Sequence, residues 1–108
     1  GKNNPIKIIT SDIIIMIIGS CTFQLRLYSP SSLKEKRMIL KSLIERLKNR
    51  FNISIAEVSD NDLWQIATIG IAIVSKDRVY ADEVINKIIN FIDSFDAVEI
   101  IDYDIEML

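Results

Sequence analysis

The sequence predicts an α+β domain of the ferredoxin-like βαββαβ class: a four-stranded antiparallel sheet with two helices on one face. Three observations lead there. Two stretches carry helical periodicity, Ser32–Phe51 and a second one running to about Phe95. Four others alternate apolar and polar residues with the period of half-buried strands. The six fall in the order strand, helix, strand, strand, helix, strand, for which the compact solution is a split βαβ arrangement with two right-handed crossovers.

A chain of 108 residues is enough for one domain with a single core. It is 49% hydrophobic and 26% charged, with three glycines and two prolines, a composition that packs rather than staying disordered. Isoleucine dominates the apolar set, and β-branching favours strands. Met16 precedes a clean strand pattern, so residues 1–15 read as an N-terminal extension or vector remnant and 16–108 as the domain. If ordered, Ile6–Thr10 and Ile13–Ile18 would be strand. The apolar run Ile13–Ile18 falls far short of the roughly 20 residues a membrane helix needs, so no membrane partner is expected.

From Ile17 to Tyr28, Phe23, Leu25 and Leu27 alternate with Thr22, Gln24, Arg26 and Tyr28. Ser29-Pro30-Ser31 breaks the strand, because proline donates no backbone hydrogen bond and restricts its predecessor. Ser32 then caps a helix, and Glu35 three residues later completes a capping box. Leu33, Leu40, Leu43, Ile44 and Leu47 form its apolar face at about 100° per residue, with Phe51 at the exit. Asn52–Val58 is a short strand. Ser59-Asp60-Asn61-Asp62 has turn chemistry, and Trp64–Val74 completes a hairpin. Ser75-Lys76-Asp77 ends that strand and caps the second helix, whose face is Ala81, Val84, Ile88, Phe91, Ile92 and Phe95. Ala97–Met107 closes the sheet, with Ile101, Tyr103 and Ile105 opposite Asp102, Asp104 and Glu106.

Little of this sequence carries reaction chemistry. There is no histidine, and Cys21 is the only cysteine. A disulfide within the chain and the usual Cys/His zinc sites are excluded, and a reducing, cytoplasmic location is the natural reading. Cys21 has no histidine to activate it and reads as a small buried strand residue. Glu57, Asp60 and Asp62 around the hairpin are the candidates for acid–base work or a hard cation, but they read first as a solvated turn. Gly70, alone within a strand, signals close packing or a bulge rather than a phosphate loop. Enzymes are the class supported least: no catalytic residue, metal or cofactor is expected.

Binding is the better-supported class. Net charge is only −2, yet its distribution is uneven. Seven of the thirteen basic residues lie between Leu33 and Arg50, whereas the chain from Asp93 onward has six acids and no base. Lys34, Lys36 and Arg37 surround the first-turn amides of the helix, an arrangement suited to an anion. Lys41 and Lys48 extend the stripe, which suits an RNA phosphate backbone; the alternative is an ordinary solvated helix face. Lys36 falls near the apolar side, its stem expected along hydrophobic surface and its ammonium in water. The open sheet face shows Thr22, Gln24, Arg26, Thr68, Gly70 and Ala72, without the paired aromatics of the standard RNA-recognition sheet. Val58, Ile66, Val74, Val98 and Ile100 are expected there too. With Thr68 they make a candidate partner interface, most economically a homodimer.

Two stretches, SLKEKR at Ser32–Arg37 with a helix ending LKNRF, and ISIAEVSDNDLWQIATIGIAIVSKD, resemble the YlxP-like small bacterial proteins, a family of unknown function numbered 503 among such domains. The resemblance runs from about Met16 to Leu108. Its most recognisable positions are Leu33, Lys34, Glu35, Lys36 and Arg37, then Asp62, Leu63, Trp64 and Gln65. It implies a ferredoxin-like fold and, from genes that neighbour those of transcription and translation factors, an association with RNA or the ribosome. It implies no catalytic residues.

Overall fold

Burial alternates along the first strand from Gly19 to Leu27, and that alternation decides which face of the sheet holds the core. The computed structural model describes residues 15–108; the predicted extension, up to residue 14, lies outside the described residues. The elements are β1 (Ile17–Leu27), α1 (Leu33–Arg50), β2 (Ser54–Ser59), β3 (Ile66–Ser75), α2 (Arg78–Asp93) and β4 (Val98–Met107). The sheet order is β2-β3-β1-β4 with every neighbouring pair antiparallel, which is the ferredoxin-like arrangement.

Cys21, Phe23, Leu25 and Leu27 of β1 are buried on one face, across from Ile71, Ile69 and Ala67 of β3. The helices close over that face. Leu40, Leu43 and Leu47 come from α1, and Ala81, Ile85, Ile88 and Ile92 from α2. Each of the larger side chains contributes about 1.5–3 kcal/mol by leaving water. The helices also lock side by side: Phe51 meets Phe91 edge-on, and the Arg46 and Arg50 guanidiniums lie 5.4 and 5.3 Å from the ring centres of Phe95 and Phe91. Among the described residues no helix is long and apolar enough to cross a membrane.

Both helices begin where side chains supply missing acceptors. The Ser32 hydroxyl accepts from the Glu35 amide (3.2 Å), and the Asp77 carboxylate accepts from the Tyr80 amide (2.8 Å). The Glu35 carboxylate reaches one residue further back than a capping box requires, accepting from the amide and hydroxyl of Ser31 at 2.8 and 3.0 Å.

Two register shifts shape the sheet. One, where β1 passes from Gln24 to Leu25, pairs Leu25 with Ile100 but Gln24 with Asp102, leaving Ile101 as the extra residue. This bulge resets the alternation. Tyr103 and Ile105 share the helix side with Phe23 and Cys21, and so do Ile100 and Val98 with Leu25 and Leu27. Ile100 and Val98 therefore pack against the core, and the expectation that they sit on the open face is corrected. The second shift, between Glu57 and Ser59, leaves Val58 unpaired over Gly70. A β-carbon at Gly70 would come within 3.0 Å of the Val58 Cγ1, so the missing side chain is what lets Val58 close down.

Candidate functional site

The sequence-predicted basic residues divide into one that is buried and four that are exposed. Lys36 lies on the side of α1 that faces β2, and only 1% of its side chain reaches solvent. Its ammonium donates to the Asp60 carbonyl at 2.6 Å and lies 3.0 Å from the Glu57 carboxylate, itself only 19% exposed. The ammonium is aligned on the carbonyl; the buried Oε2 of Glu57 is charge-paired but receives no well-directed hydrogen bond. Lys36 is thus a structural residue, and its assignment to the anion-binding set is corrected. A buried ammonium needs a partner charge, and β2 supplies one because Glu57 falls on the same inward alternation as Ile55.

Asp60 is the hub of the turn. Its φ of 65° is left-handed, which aspartate tolerates better than most residues. Its carbonyl serves Lys36 and the Leu63 amide, and its carboxylate takes the Thr68 hydroxyl at 2.6 Å. Two predicted groups change meaning here. The acids Glu57 and Asp60 hold the turn, and no group of three Cys, Asp or Glu side chains suited to a metal forms among the described residues. Thr68, predicted as an interface residue, has its hydroxyl committed to Asp60.

One first-turn amide of α1 is likewise occupied. Ser32 satisfies the Glu35 amide, and the Glu35 carboxylate places a negative charge beside Ser31. Those hydrogen bonds hold the Glu35 carboxyl below its ordinary value. An anion at the helix entrance would have to displace this internal one.

What remains is the flank of α1. Lys34, Arg37, Lys41 and Lys48 are exposed, and at about 100° per residue they form one stripe. Arg37, Lys41 and Lys48 line a shallow groove of about 360 Å³ with Leu40, Ile44, Glu45 and Glu57. Among the described residues the ion pairs are Lys36–Glu57 and Arg26–Glu99, so none of the four is spent on a carboxylate.

On the opposite side of the sheet, Val58 and Val74 are 55% and 67% exposed, with Ile66 half-buried. These three side chains lie on the β2–β3 half. Toward β4 the pairs are Arg26–Glu99, Gln24–Asp102, Thr22–Asp104 and Ser20–Glu106. Cys21 is buried between the layers, and desolvation, reinforced by Asp104, pushes its thiol up to about 11, far from a nucleophile's range. A cleft of about 580 Å³ opens at the other end of the molecule, lined in part by Arg50, Asn52, Ser75, Tyr80, Glu83 and Lys87. The Ser75 hydroxyl there donates to the Asp77 carbonyl at 2.6 Å, and the lining brings no nucleophile–base pair together.

The profile of the family described as "Protein of unknown function (DUF503)" matches residues 18–105. The uncharacterized protein YlxP of Bacillus subtilis (strain 168) is 41% identical over 83 residues, spanning 77% of this chain and 90% of YlxP. Among solved structures, the de novo designed protein Foldit4 is similar in fold, with a TM-score of 0.51 at 11% identity over 87% of this chain and 97% of that one. The stretches that carry the family resemblance, Leu33–Arg37 and Asp62–Gln65, are the two that Lys36 and Asp60 bring together.

Proposed function

This chain belongs to the DUF503 family, whose function is unknown, and on that premise we propose a binding module that engages RNA, free or within the ribosome, through the flank of α1. One observation carries this reading: Lys34, Arg37, Lys41 and Lys48 project from one side of one helix with no carboxylate partner among the described residues. Phosphates spaced along a strand suit such a row; the rival reading is an ordinary solvated helix face, which lysine-rich helices often have. Binding by this means is electrostatic and falls with salt, by a slope of about 0.7 per phosphate for a single strand.

The test is retention of the protein on immobilised cellular RNA and on sedimented ribosomes. The variant R37E/K41E/K48E should lose retention while its far-ultraviolet circular dichroism stays that of the parent. Retention equal to the parent's would overturn the reading.

The β2–β3 half of the open face supports a second reading, a homodimer. Val74 and Val58 expose more apolar surface than an isolated sheet face needs, beside Ala56, Gly70 and Ala72, which allow close approach. A charge at V74D or I66D should give a monomer by sedimentation; Thr68 is the poorer probe, since altering it also releases Asp60. An unchanged sedimentation coefficient in both variants would remove that interface.

A further inference from the structure

The β2–β3 turn exposes large apolar side chains while being firmly held. Trp64 is 49% and Leu63 51% exposed. The segment is nevertheless tied at both ends: Lys36 and Thr68 bond Asp60, the Leu63 amide returns to the Asp60 carbonyl, and the Leu27 amide donates to the Gln65 carbonyl at 2.8 Å. The last of these bonds extends the β1–β3 ladder beyond Arg26–Ile66. Trp64 and Tyr28 are therefore the next residues past the ladder on the two central strands, and Tyr28 is 60% exposed. Leu63, Trp64 and Tyr28 thus expose large side chains at one end of the sheet, and apolar surface gathered in this way marks a binding surface more than a single exposed residue does.

Charge says what kind of partner fits. Lys36 bonds the turn, so its neighbours in the first turns of α1, Lys34 and Arg37, stand on the same end of the molecule. Most of the nearby acids are neutralised or engaged: Glu57 by Lys36, Asp60 by Thr68, Glu35 by Ser31 and Glu99 by Arg26. Asp62, and Asp96 beside the Ala97 carbonyl that takes the Tyr28 amide, have no such partner among the described residues. Two exposed aromatics at the same end of the molecule as two cations without a carboxylate partner match a nucleic acid whose bases are unpaired, since stacking needs a free base face and the cations take the phosphates. A duplex hides those faces.

We propose, resting on the RNA reading above, that this end of the molecule is specific for single-stranded RNA. Trp64 stacks on one base and Tyr28 on a second, while Lys34 and Arg37 hold the phosphates and Lys41 carries the strand onto the α1 flank. Asp62 limits the affinity.

Trp64 is the only tryptophan, so its fluorescence reports this site alone. The experiment titrates the protein at low salt with a labelled oligouridylate of about twelve nucleotides and with a duplex RNA of the same length, reading RNA anisotropy and tryptophan emission together. The single strand should quench Trp64 and bind about tenfold more tightly than the duplex, a factor within what stacking on an aromatic supplies. W64L should lose that preference, W64F should keep most of it, and D62N should tighten binding by about twofold. Tight oligouridylate binding that leaves Trp64 unquenched, with W64F and W64L as good as the parent, overturns the stacking site and spares the RNA reading. No anisotropy change with either RNA overturns both. Quenching in the unaltered protein decides the matter even if W64L fails to fold.

Discussion

The sheet has two edges, and they are protected in opposite ways. β2 is six residues long, carries a bulge at Val58, and is tied to α1 through the buried Lys36–Glu57 pair. β4 is ten residues long and carries Asp102, Asp104 and Glu106 on its open-face side. Any free edge offers unpaired amides and carbonyls to another chain. At β2 the answer is shortness, distortion and a buried charge; at β4 it is repulsion by exposed ones. The charged part of the first rests on one buried pair, that of the second on three exposed acids, so the two should fail differently.

The largest effect should come from the buried tie. K36A leaves the Glu57 carboxylate without its partner charge, and urea unfolding should show a loss of about 3–5 kcal/mol. The double variant K36M/E57L should recover most of that, because removing both charges removes the desolvation cost as well. A K36A loss below about 1 kcal/mol would mean the tie does not support β2. At the other edge, D102T/D104T/E106T should leave the unfolding midpoint nearly unchanged but make the protein associate at high concentration, as read by light scattering. Threonine keeps strand propensity, so continued monodispersity would show that the acids are not what protects β4.

A smaller effect separates the helix starts from the edges. S32A should cost about 1 kcal/mol, visible as a lower urea midpoint, and combining it with D77A on α2 should give additive losses, since the two caps share no partner. The effects of pH have opposite signs at the two ends of the range, and the acid one is the smaller because Glu35 is exposed. The Glu35 carboxyl is held below its ordinary value of 4.5, so the stability it contributes is present above that pH and lost as pH falls below it. The Cys21 thiol is raised from 9.0 to about 11, so its contribution is present below pH 9 and lost as pH climbs toward 11. Urea midpoints measured in acid and in alkali on S31A and C21A should each flatten one arm of the profile; S31A removes the hydroxyl donor to Glu35 while the backbone donor remains.

The order of elements was legible because periodicity is a property of neighbours in sequence. Phe23, Leu25 and Leu27 announce β1, and Leu40, Leu43 and Leu47 announce the buried side of α1, before any contact is known. The bulge at Ile101 was not legible. A single extra residue reverses the alternation, so strict period two, read back from Tyr103 and Ile105, sends Ile100 and Val98 to the wrong face. Lys36 was half legible: its angle on α1 placed it near the apolar side, but its long stem reaches either water or a partner, and sequence does not choose between them. Glu57 carried the missing signal, an acid at an inward position of β2. For the candidate site, the stripe of Lys34, Arg37, Lys41 and Lys48 followed from spacing alone. That Tyr28 and Trp64 lie just past the same end of the central ladder did not, because it needs the register in which β1 and β3 pair.

The contact between Lys36 and the turn is also a constraint on inheritance. Positions 36 and 57 lie in different elements, yet neither can change alone without stranding a charge in the interior. Among relatives the two columns should therefore vary as a pair, with an apolar residue at one accompanied by an apolar residue at the other. Position 60 should be restricted differently, to the few residue types at ease with a left-handed backbone, since its link to Lys36 runs through a carbonyl that every amino acid possesses.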